Sequence, residues 1–160
     1  MNKQIILFTD GSINPQSKIG YGAYLAVTEM DLSHESLKRL VKIKRFEDTS
    51  STKLELQTLL WALEDVKPAG EKVILYTDSQ NIIGLPGRRK GFEKNNYYSK
   101  NGKLIGNYKL YREFFKLLDR MDIELFKISG HLVSIQKNEI DRLFTLVDRA
   151  SRKALRENNN

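Results

Sequence analysis

Two stretches of the chain repeat one pattern: IILFTDGS at Ile5–Ser12 and KVILYTDS from Lys72. Each runs apolar residues straight into a threonine and an aspartate, followed by small polar residues. A continuous apolar run with a turn signal reads as a strand buried on both faces. A carboxylate at its end must be paired, hydrogen-bonded or bound to a cation. The plain alternative for Asp10 is that it closes a turn with Gly11. Between the two strands, TKLELQTLLWALEDV (Thr52–Val66) reads as an amphipathic helix with Glu55 in its first turn. Glu55 also fits a capping box with Thr52, which would make it a structural residue. Strand, helix and strand form a right-handed crossover with parallel strands, so Asp10 and Asp78 share the carboxyl edge of one sheet. Crowded carboxylates repel unless a cation sits among them, and an oxygen-only set suits Mg²⁺ or Mn²⁺ rather than zinc.

The elements that must position these groups follow in order. Ile19–Val27 (IGYGAYLAV) reads as a second strand whose two glycines mark a close backbone approach or a bulge. Leu37–Phe46 (LKRLVKIKRF) alternates apolar and basic residues, as a half-exposed third strand does. Pro68 and Gly70 stop the Thr52–Val66 helix. Asn81–Leu85 begins a short helix that Pro86-Gly87 breaks. Arg88, Arg89, Lys90, Lys94, Lys100, Lys103 and Lys109 then face a single acid, Glu93, with Phe92, Tyr97 and Tyr98 interleaved. That composition suits a phosphate backbone, or a solvated loop whose aromatics pack inward. Tyr108–Arg120 is an amphipathic helix with Leu110, Phe114, Leu117 and Leu118 on its core face, Ile123–Ile128 a fifth strand, and Asn138–Glu157 a final helix.

The 160 residues are expected to form one domain, with 157–160 a frayed tail. There is no cysteine, which excludes disulfides and thiolate metal sites. MNKQIILF does not read as a signal peptide, and no apolar run approaches a membrane span, so a cytoplasmic monomer away from membranes is the expectation. A net charge of +7 points to an anionic partner, nucleic acid first.

FTDGS, GYGA, TKLELQTLLWALE and YTDSQ, in this order and spacing, resemble type I ribonuclease H over nearly the whole chain. The resemblance implies a ribonuclease H-like α/β fold. Its five-stranded mixed sheet has strands one to three antiparallel, four and five parallel to strand one, and helices on both faces. It also implies an endoribonuclease that hydrolyses the RNA strand of RNA–DNA hybrids, largely independent of sequence, with two Mg²⁺ ions (Mn²⁺ a possible substitute). Asp10, Glu55 and Asp78 then match three of the family's four metal-binding carboxylates. Gln80 matches a residue touching the RNA strand, and Ser12, Asn14, Ser51 and Thr52 fall where the family places polar contacts to the hybrid. The turn after Asp10 (GSINPQSKIG) is shorter and poorer in glycine than is usual for the family. Arg88, Arg89, Lys94 and Lys103 lie in a segment resembling the family's basic protrusion for the DNA strand. His131, after Gly130, matches a mobile histidine that moves a proton or helps product leave. The rivals are a DNA-cutting nuclease of the same fold and a non-catalytic hybrid-binding module.

For the fourth carboxylate the last helix offers Asp141 and Asp148, about 10 Å apart along its axis. The ten residues from His131 favour Asp141, with Asn138-Glu139 resembling the family's Asn-Glu pair one position out of place. The residues after Asp148 favour it instead: DRASR carries a small residue at the third place and arginine at the fourth, where Asp141 is followed by bulky Phe144. Asp148 is the expected ligand.

Overall fold

The computed structural model describes residues 3–28, 33–128 and 139–158. Five strands form one mixed sheet in the order β3-β2-β1-β4-β5, made of β1 (Gln4–Asn14), β2 (Ile19–Val27), β3 (Lys42–Phe46), β4 (Lys72–Thr77) and β5 (Ile123–Lys127). β1, β2 and β3 are antiparallel neighbours, whereas β4 runs parallel to β1 and β5 parallel to β4. The helices are α1 (His34–Leu40), α2 (Ser51–Val66), α3 (Gln80–Lys94), α4 (Tyr108–Arg120) and α5 (Glu139–Asn158).

Alternation along β1 sends Leu7 to one core and Phe8 to the other. Leu7 packs with Val73, Leu75 and the α2 leucines Leu56, Leu59 and Leu63, joined by Phe114 and Phe115 of α4. Phe8 packs with Ala23, Leu25 and the α5 residues Leu143, Phe144 and Val147. The sheet is thus covered by helices on both faces, and buried strands read as near-continuous apolar runs for that reason. The core face of α4 is Tyr111, Phe114, Phe115 and Leu117, a small rotation from the expected stripe, with Leu110 and Leu118 at its margins.

The glycines of β2 work by close approach. A Cβ on Gly22 would lie 2.2 Å from the Thr58 hydroxyl, and one on Gly20 2.7 Å from Leu54. α2 therefore rests almost on the strand backbone, with Glu55 in the turn between those two contacts.

Four elements differ from expectation. Asp10 lies within β1, not at its end: β1 stays paired with β2 to Asn14, and Asn14 Oδ1 accepts from Gln16 N at 2.9 Å to shape the hairpin turn. The stretch read as strand Leu37–Phe46 begins as α1. Ser33 caps α1 by accepting from Ser36 N, Glu35 and Lys38–Arg39 complement its dipole, and buried Leu37 anchors it. α2 is capped by Ser50, which accepts from Lys53 N, so the Thr52–Glu55 capping box does not form. α3 runs through Pro86, against the expected break. Tertiary anchors on both sides of the proline hold it: Ile82 and Leu85 are fully buried before it, and Phe92 stacks on Tyr111 at 5.2 Å after it.

Candidate active site

The parallel pairing of β1 with β4 ends at Phe8↔Tyr76. Two more steps of the same register bring Asp10 level with Asp78, just beyond β4. Both continue the alternation that sends Phe8 and Tyr76 toward α5, the helix that carries Asp148. The Asp148 carboxyl lies beside that of Asp10. Burial, then the Asp78 charge and then the Asp148 carboxyl push the Asp10 carboxyl up to about 8. Asp78 is more open, yet partial desolvation and then the Asp148 charge raise it too, opposed by Arg152 and Lys127.

Glu55 reaches the same edge from α2. Ser79 Oγ donates to Glu55 Oε2 at 2.5 Å and accepts from Ile82 N at 3.2 Å, so one hydroxyl caps α3 and holds Glu55. Burial raises the Glu55 carboxyl, and the nearby Asp78 charge adds to it against the Ser79 bond. Asp148 is held by Arg152 Nε at 2.9 Å, the i,i+4 pair that the DRASR run encodes. The small residue of that run, Ser151, is fully buried, and its Oγ lies 3.0 Å from Ser12 Oγ. A bulky side chain there would lift α5 off β1.

Asp141 lies two turns away on α5 and is only 8% exposed. It is not the exposed helix residue expected of the unused aspartate. Asp148 is among the groups that raise both Asp10 and Asp78.

Among the described residues, no three His, Asp or Glu side chains already converge as a ligand cage. Glu55 is turned to Ser79 and Asp148 to Arg152. The donor set still fits a hard divalent ion. It is all carboxylate oxygen, and a cation among Asp10, Asp78 and Asp148 would relieve the repulsion that raises Asp10 and Asp78.

The remaining predicted residues within the described chain lie in the first turn of α2, along α3 and in the segment that follows it. Ser51 is exposed and Thr52 half-buried in the first turn of α2. Gln80 Oε1 accepts from Lys127 Nζ at 2.8 Å. Lys94 and Lys103 are exposed. Arg88 donates to Asn81 and lies over the Phe92 ring. Arg89 is instead committed within the protein: it makes a bidentate pair with Asp119, both bonds 2.7 Å, and a third bond to Glu93. Of the interleaved aromatics, Phe92 and Tyr97 pack toward α4, while Tyr98 stays half exposed. His131 lies outside the described residues. Ser79 and Lys127 are site neighbours that sequence reasoning missed. Ser79 carried a signal in its place beside Asp78, whereas only strand pairing brings Lys127 here.

A family model described as RNase H matches residues 2–152. The chain belongs to the ribonuclease H family. With that membership goes endoribonuclease action on RNA–DNA hybrids, in a family that generally depends on a divalent metal. Among its relatives, the Ribonuclease H of Orientia tsutsugamushi is 30% identical over 147 residues, spanning 90% of this chain and 82% of the relative. The Ribonuclease H of Syntrophomonas wolfei is 28% identical over 133 residues, spanning 81% and 85%. The fold is similar to the solution structure of the PFV RNase H domain, with a TM-score of 0.72 at 15% identity and coverage of 96% of this chain and 94% of that one. It is similar also to LC9-RNase H1, described as a type 1 RNase H with the type 2 active-site motif, at a TM-score of 0.68, 17% identity and coverage of 96% and 72%. Family membership removes the non-catalytic reading. No helix among the described residues of this ribonuclease H is long and apolar enough to cross a membrane.

Proposed function

We propose that Asp10, Glu55, Asp78 and Asp148 would hold two Mg²⁺ ions, and that this ribonuclease H cuts hybrids there with little regard to sequence. The observation that carries the reading is the meeting of Asp10, Glu55, Asp78 and Asp148 at one end of the parallel β1–β4 pair, where half-buried Asp10 is raised by desolvation and by its two neighbouring aspartates. When bound, the two ions supply an activated water and charge stabilisation at the leaving 3′-oxygen.

The chain's own residues do the positioning. Ser79 orients Glu55 and Arg152 orients Asp148, so both carboxylates are held before any ligand arrives. Ser12, Asn14, Ser51, Thr52 and Gln80 line the approach to the hybrid, and RNA selectivity comes from contacts to 2′-hydroxyls in the minor groove. Arg88, Lys94 and Lys103 meet phosphates, while Arg89 locks α3 to α4. His131, assigned by resemblance alone, moves a proton beside the site.

The test is cleavage of labelled RNA–DNA hybrid, duplex RNA and duplex DNA, with and without Mg²⁺. Only the RNA of the hybrid should be cut, and only with the ion. Asp10→Asn and Asp78→Asn should each lose roughly a thousandfold or more in rate, the loss of several kcal/mol of charge stabilisation. Substantial cleavage by either folded variant in Mg²⁺ would defeat the two-ion reading.

A further inference from the structure

Lys127 closes β5 and pairs in register with Thr77, one residue before Asp78. Its ammonium donates to Gln80 Oε1 at 2.8 Å, and both side chains are exposed at the rim of the site. An ammonium has three donors and no acceptor, so it fixes which end of the amide it meets. The oxygen of Gln80 must face Lys127, and the –NH₂ must face away from it. A glutamine free in solution presents either end; this one keeps its oxygen toward Lys127 and so presents its –NH₂ on the other side.

We infer that Lys127 is a positioning residue that turns the –NH₂ of Gln80, rather than its oxygen, toward the substrate. The inference rests on the reading of Gln80 as a residue that touches the hybrid. A donor contact has a consequence for selectivity. On its minor-groove edge every base pair displays acceptors, purine N3 and pyrimidine O2, whereas only guanine adds a donor, its exocyclic N2. A Gln80 that offers its –NH₂ finds a partner on any sequence. A Gln80 turned to offer its oxygen would favour guanine. Lys127 thereby keeps cleavage sequence-tolerant through an amide it never lets turn.

A double-mutant cycle on hybrid cleavage tests this, with wild type, Lys127→Met, Gln80→Ala and the pair, alongside Lys127→Arg and Lys127→Glu. Lys127→Met should raise KM several-fold with kcat within about twofold. In the Gln80→Ala background it should add nothing, because the two residues act as one unit. Lys127→Arg, which also only donates, should restore KM. Lys127→Glu accepts from the amide and turns it, so its cleavage map on mixed-sequence hybrids should gain a bias for guanine that wild type lacks. Additive KM effects would overturn the inference, since Lys127 would then act on substrate or Asp78 directly. A Lys127→Glu map identical to wild type would overturn it as well. Failure of the underlying reading looks different: Gln80→Ala alone would then leave KM unchanged.

Discussion

At the scale of single residues, Asp10 links the site to pH. An ordinary aspartate ionises near 3.8, whereas burial and two neighbouring carboxylates push folded Asp10 up to about 8. Between those values the folded protein holds a proton that the unfolded chain has released, so metal-free stability falls as pH rises from about 4 to about 8. Asp10→Asn removes that loss. Its metal-free Tm should exceed wild type at pH 8.5, the gap should close toward pH 5, and Mg²⁺ should narrow it by stabilising wild type alone. Thermal melts across pH, with and without Mg²⁺, check all three. Asp148 and Asp141 divide by the same logic. Asp148→Asn removes a carboxylate that raises both Asp10 and Asp78 and should cut kcat strongly at low Mg²⁺. Asp141→Asn should leave kcat within a fewfold of wild type; the reverse pattern would transfer the role. Asp10 and Asp78 were legible in the sequence because two like apolar runs, each ending in Thr-Asp and the second preceded by a helix, pair in parallel in one sheet. The bond from Ser79 to Glu55 was not, because it depends on where α3 starts relative to α2.

At the scale of elements, the seat of α2 on β2 decides how near Glu55 comes. Gly22→Ala places a methyl 2.2 Å from the Thr58 hydroxyl, and overpacking of this kind costs about 1–3 kcal/mol. Denaturant melts should show that loss, with a fall in activity as Glu55 shifts. Adding Thr58→Ala, which removes the two nearest atoms, should recover part of both. Strands β1, β2 and β4 and helices α2, α4 and α5 were readable because their hydrophobic periods are long and unbroken. α1 was missed because one buried leucine and a serine cap outweighed a weak alternation. The passage of α3 through Pro86 was missed because its anchors, Tyr111 and Asp119, lie more than twenty residues downstream.

At the scale of the whole molecule, the charge of +7 is spread unevenly in its use. Arg89 is neutralised by Asp119 and Glu93, while among the described residues Lys94 and Lys103 have no ion-pair partner. Neutralising Arg88, Lys94 and Lys103 together should flatten the salt dependence of hybrid binding by about one released counterion per lost phosphate contact. Arg89→Gln should leave that slope unchanged and lower Tm instead, as an anchor between α3 and α4 is lost. Binding titrations over a salt series separate the two. An unchanged slope in the triple variant would reduce the segment to a solvated surface.

The early end of the β1–β4 pairing at Phe8 has one more consequence, this one for amide hydrogen exchange. From Ile6 to Phe8, β1 is laddered on both sides and its amides should exchange only through global opening. From Thr9 to Asn14 it is laddered on the β2 side alone. Deuterium uptake along this single strand should therefore change abruptly beside Asp10. The fast half should slow when hybrid binds, while the slow half reports only on the stability of the fold beneath.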